Sequence, residues 1–99
     1  MNQTFTKTEK QIRNIIFKHL DSKKYKVFLF GSRVNGQALK YSDYDIGIYG
    51  KSRLPSEDKF LIEESLEESD ISCKVDIVDF SLVSPNFRKV ALSKIKRYD

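Results

Sequence analysis

The chain has 99 residues, 18 Lys and Arg against 14 Asp and Glu, a formal net charge of +4 and one cysteine. That length makes a single domain, 1–99, with a modest core and no room for a separate substrate-recognition domain. Lone Cys73 excludes an intramolecular disulfide, no apolar run approaches the roughly 18 residues of a membrane span, and the start of the chain lacks a signal-peptide pattern. The expectation is a soluble, cytoplasmic protein. Its positive excess is mixed in sign along the chain, so nucleic acid is not an expected partner.

Thr6-Lys7-Thr8-Glu9 fits a capping box, and Ile12, Ile15, Ile16 and Leu20 follow at helical spacing, which predicts a helix from Lys7 to His19. Tyr25 to Phe30 is a short, nearly continuous apolar run, the pattern of a strand buried on both faces. It ends at Gly31-Ser32, where glycine lets backbone approach a ligand, Ser32 offers a hydroxyl and Arg33 a fixed positive charge. These three are the candidate phosphate-binding residues, set in a loop with a short helix that runs to Ser42. Gly31 and Gly36 have P-loop spacing, but Gln37 and Ala38 stand where that motif needs Lys and Ser or Thr, and no G-x-G-x-x-G is present. A P-loop NTPase and a dinucleotide fold are both disfavoured.

A second strand is predicted from Tyr44 to Tyr49. Asp43 and Asp45 are two apart, so they leave the same face, with Gly47 expected to leave space beside them for metal or nucleotide. Tyr44, Ile46 and Ile48 face a core. Two adjacent carboxylates repel unless a cation separates them, which points to Mg2+ held together with substrate phosphates. Ser42 is expected to bond the local backbone and fix the strand's start.

A helix over Glu57 to Glu68 carries Phe60, Leu61, Ile62 and Leu66 inward and a solvated acidic face outward. A third strand is expected from Cys73 to Phe80. Asp76 and Asp79 are three apart and face opposite ways; Asp76, mid-strand between apolar neighbours, needs a reason to be there, while Asp79 nearer the end can be solvated. Ser84-Pro85 starts a last helix, with Phe87, Val90, Ala91 and Ile95 inward and basic residues outward.

Gly31-Ser32, ten intervening residues and Asp43-x-Asp45, with Asp76 on a later strand, resembles the signature of the DNA polymerase beta-like nucleotidyltransferase superfamily. The short length is similar to its minimal nucleotidyltransferase (MNT) branch, whose members are often antitoxins encoded beside a HEPN-domain toxin. Leu39-Lys40-Tyr41 departs from the small, polar residues of that pattern.

The resemblance implies an α/β (α+β) fold, a short mixed sheet of three to four strands flanked by helices. It implies Asp43, Asp45 and Asp76 as catalytic and metal-holding residues for one or two Mg2+ ions, with ATP as substrate. The implied reaction is in-line transfer of AMP to a hydroxyl on a cognate HEPN protein. The alternatives are a catalytically silent antitoxin that acts by binding, and transfer to a small molecule or RNA. Self-association is left open.

Overall fold

The structure is a computed structural model and describes residues 4–99. In chain order the elements are α1 (Lys7–His19), β1 (Tyr25–Phe30), a single 3-10 turn (Gly31–Arg33), β2 (Tyr44–Gly50), α2 (Ser56–Glu68), β3 (Val75–Asp79), α3 (Pro85–Leu92) and β4 (Lys96–Arg97). The strands form one mixed sheet in the order β3-β2-β1-β4: β1 is antiparallel to β2 and β4, and β2 is parallel to β3. This is the small α/β architecture that the sequence predicts.

Both strand faces are covered, by different partners. Val27, Leu29, Ile46, Ile48 and Ile77 pack against Ile12 and Ile16 of α1 and Ile62 and Leu66 of α2. The four helix residues recur at i and i+4, so each helix turns one stripe to the sheet. Fully burying such a side chain contributes roughly 1.5–3 kcal/mol. On the other face Phe28, Phe30 and Phe80 form a smaller cluster with Val78, Ala91 and Leu92.

The start of α1 is fixed by the expected capping box, Thr6 accepting from the Glu9 N–H and Glu9 accepting from the Thr6 N–H, each at 3.1 Å. Glu9 does more than cap. It is 3% exposed, takes a 2.6 Å hydrogen bond from the fully buried Tyr98 hydroxyl and lies 2.7 Å from Lys96 Nζ. Burial alone raises a carboxyl pKa, but the bonds from Lys96, Tyr98 and Thr6 outweigh it and hold Glu9 below its ordinary value. The Tyr98 hydroxyl is pushed well up by burial and by that carboxylate. This cluster ties β4 to α1, across the edge of the sheet.

Several expectations need correction. The third strand is shorter than predicted, since residues 73, 74 and 80 lie outside the ladder, although the Phe80 N–H still donates to Ile48 O. Helix α3 stops at Leu92, so Ile95 lies beyond it, and Val90 is 73% exposed rather than inward. The helix is only eight residues long, and Val90 sits 100° round from the packed Ala91. Phe60 is likewise 59% exposed, because the i, i+4 pair of Ile62 and Leu66 already fills the α2 contact.

Candidate active site

Asp45 and Asp76 are register partners across the parallel β2–β3 ladder. Alternation places both on the sheet face opposite α1 and α2, and Asp43, just before the first residue of β2, is near enough for its charge to act on Asp45. Asp79 leaves on the other. Contrary to the expectation that it is solvated, Asp79 is 8% exposed. Its carboxylate accepts from the Leu54 N–H at 2.8 Å, the Ser81 N–H at 2.9 Å and the Ser81 hydroxyl at 2.7 Å. It anchors the segment entering α2 and the turn leaving β3. The three-residue spacing of the two aspartates thus puts Asp76 on the exposed face beside Asp45 and Asp79 in the buried layer.

Gly31 follows the last residue of β1, Phe30, whose register partner is Asp45. Its φ is +84°, and a Cβ there would land on Asp45 Oδ2 and lie 3.3 Å from Asp45 Cγ. Glycine is required both by backbone conformation and by the closeness of the carboxylate. The expected short helix is one 3-10 turn. Its first bond is donated by Val34 to Gly31 O, so the N–H groups of Ser32 and Arg33 lie upstream of that bond. Gly36, at φ +75°, then turns the chain.

Arg33 has a different occupation from the one the sequence suggests. Its guanidinium stacks 3.8 Å from the centroid of the Tyr44 ring and donates to Ser42 O at 2.7 Å and 3.1 Å and to Lys40 O at 3.3 Å. It closes the loop onto the start of β2. Ser42 does what was expected, its Oγ accepting from the Leu39 N–H at 2.8 Å. Leu39 and Tyr41 project outward, 79% and 70% exposed, so the bulky departure is carried on the loop's surface.

Gly47 corrects another expectation. A Cβ at this position would collide with the rings of Phe28 and Phe80, so the space it leaves is already filled by aromatic packing. Phe30 and Phe80 stack edge-on at 5.0 Å, and Phe87 of α3 meets Phe30 at 6.1 Å. These rings form an apolar wall beside Asp45. Sequence reasoning placed Phe87 in the core but did not connect it with the site; the alternation of Phe28 and Phe30 with Val27 and Leu29 was the available signal.

The carboxylates interact. Asp45 has a raised pKa, first from burial, then from the negative charges of Asp76 and Asp43, with Lys74 opposing. Lys74 reaches Asp76 at 3.9 Å, an exposed contact of little consequence for stability. Among the described residues no three His, Cys, Asp or Glu side chains converge into a ready-made metal site. Mutually repelling hard-oxygen donors on one open face nevertheless match Mg2+, which is normally bound by one or two carboxylates completed by substrate phosphates.

The family model described as Polymerase beta, Nucleotidyltransferase matches residues 10–97 of this chain. "Probable protein adenylyltransferase MntA" of Haemophilus influenzae is 39% identical over 66 residues, 67% of this chain and 58% of the relative. The chain therefore spans less than two thirds of that protein's length. A toxin–antitoxin crystal structure with AMP-PNP superposes with a TM-score of 0.73 at 23% identity, covering 92% of this chain and 72% of the matched one. A structure of tri-AMPylated Shewanella oneidensis HEPN toxin in complex with MNT antitoxin gives 0.60 at 23% identity, covering 92% and 71%. At these identities the structural matches show a shared fold.

Proposed function

This chain belongs to the polymerase beta nucleotidyltransferase family, and from that premise we propose that it transfers AMP from ATP to a hydroxyl on a HEPN-domain partner protein, as the antitoxin of a toxin–antitoxin pair. The observation that carries the reading is the Asp45–Asp76 register pair, with Asp43 close to Asp45 and Gly31 against it. The named relative and the complexes with AMP-PNP and with AMPylated toxin support the choice of nucleotide and acceptor.

In this account the backbone at Gly31 and Ser32 and the Ser32 hydroxyl cradle the triphosphate. Arg33 holds the loop in shape through Ser42 and Tyr44. Asp43 and Asp45 would hold Mg2+, which when bound would neutralise charge on the triphosphate and on departing pyrophosphate. The acceptor oxygen attacks the α-phosphorus, a new P–O bond forms, the bond to the β-phosphate oxygen breaks and pyrophosphate leaves. Asp76, with a half-exposed side chain, accepts the hydroxyl proton. The chain contains no Ser-His-Asp pattern to suggest a covalent intermediate, so transfer is direct.

The test is to incubate the protein with ATP, Mg2+ and a candidate HEPN protein encoded beside it, and to record intact masses. AMP added to the partner, and mapped to a hydroxyl side chain, is the expected result. A stable complex without adduct replaces this reading with an antitoxin that acts by binding alone.

A further inference from the structure

Lys23, Lys24, Lys26 and Lys51 gather at the end of the β1–β2 ribbon remote from the carboxylates, lining a cleft of about 730 Å3. Lys26 pairs with Tyr49, four residues along β2 from Asp45, which is about 13 Å at the rise of a strand. All four lysines are exposed, and among the described residues none is in an ion pair. Asp99 is the one acidic residue lining the cleft, and it is held by Arg97 at 2.7 Å. The exposed acids Glu63, Glu64, Glu67 and Glu68 are on α2, which packs on the opposite face of the sheet from Lys26 and Tyr49. The acid nearest these lysines in sequence, Asp21, is engaged in the turn, its carboxylate accepting from the Lys23 N–H at 2.8 Å.

We propose that this cleft binds the phosphodiester backbone of a single-stranded nucleic acid. Four unpaired ammonium groups at one mouth repel one another, and a strand with regularly spaced phosphates neutralises them while releasing condensed counterions. Lysine is a flexible point charge, suited to phosphates that pass without fixed orientation. Arg88 lines the same cleft with its guanidinium over the Tyr49 ring and adds a fixed positive charge. The cleft is separate from the carboxylates, so the inference stands or falls independently of AMP transfer.

The test is fluorescence anisotropy with the full chain and a labelled RNA of about 12 nucleotides lacking a 5′ triphosphate, titrated across NaCl concentrations. Four phosphate contacts predict a slope of log K against log salt of roughly −3. The Lys23→Gln/Lys24→Gln/Lys26→Gln/Lys51→Gln variant is expected to lose at least about tenfold in affinity and most of the slope. Single-stranded DNA of the same sequence is expected to bind comparably, because only the backbone is read.

A charge-matched variant removes Lys7, Lys10, Lys18 and Lys59, none of which lines the cleft. It should stay within about twofold of wild type once salt is matched. Equal loss in both variants would mean diffuse attraction and overturn the proposal, as would absence of RNA binding at low salt. Equal affinity for a polyglutamate peptide of matched charge would assign the cleft to an acidic protein instead. Circular dichroism melting of both variants establishes that they fold.

Discussion

Gly31 and Asp45 are packed so closely that the glycine's missing side chain is part of the carboxylate's environment: a Cβ at position 31 would occupy the place of Asp45 Oδ2. The two ends of one antiparallel pair, Phe30 and Asp45, bring the phosphate loop and the acids together. Gly31→Ala should therefore disturb both. With φ at +84°, strain of order 1–3 kcal/mol is expected in urea unfolding, and AMP transfer should fall by more than about a hundredfold.

The two aspartates of β3 should separate cleanly on mutation. Asp76→Asn is expected to lower transfer at least about a hundredfold while leaving the melting temperature nearly unchanged, since its side chain is half exposed. Asp79→Asn should do the reverse. Loss of a buried carboxylate that accepts three hydrogen bonds costs about 1–3 kcal/mol, measured by urea unfolding, with transfer retained at low temperature.

Arg33 acts on the loop rather than on the phosphates in this account. Arg33→Lys keeps the charge but loses the planar stack on Tyr44 and the paired bonds to Ser42 O. The expected result is an increase of about tenfold in KM for ATP, with a smaller change in kcat. A side chain that touched the transferring phosphate would instead lower kcat.

The Glu9 cluster predicts a specific acid dependence. Glu9 has a folded-state pKa below its ordinary value of 4.5, so the ionised form favours the folded state. That contribution is full above the ordinary value and is lost as pH falls through the depressed folded value. Unfolding free energies of wild type and Glu9→Gln should therefore differ most near neutrality and converge in acid. Tyr98→Phe should be destabilised by about 1–3 kcal/mol, since it leaves a buried carboxylate oxygen without its donor.

Much of the fold was legible in the sequence because its signals are local. The box at Thr6 and Glu9, the apolar stripe of α1 and the alternation along β2 each specify an element without reference to the rest. The common face of Asp43 and Asp45 follows from the same period of two. That Asp76 and Asp79 face opposite ways was also readable, through their odd spacing.

What stayed hidden depends on distant partners. Two-residue β4 is too short to show a period, and the Tyr98 hydroxyl finds its buried partner only in Glu9, 89 positions away in the chain. Gly47 read as empty space because the Phe28 and Phe80 rings that fill it lie 19 residues before and 33 after. The stack of Arg33 on Tyr44 was not legible either, because nothing in the sequence announces it. The lysine cleft stayed hidden because Lys51 joins Lys23, Lys24 and Lys26 only through the pairing of β1 with β2.

The most direct measurement compares wild type with Asp43→Asn/Asp45→Asn in one set of samples containing the HEPN partner, Mg2+ and α-labelled ATP, reading both label on the partner and complex formation by size exclusion. The account predicts label on the partner with wild type, none with the double variant, and the same complex in both. Equal labelling by the double variant would contradict it, and would remove the carboxylate face from the chemistry.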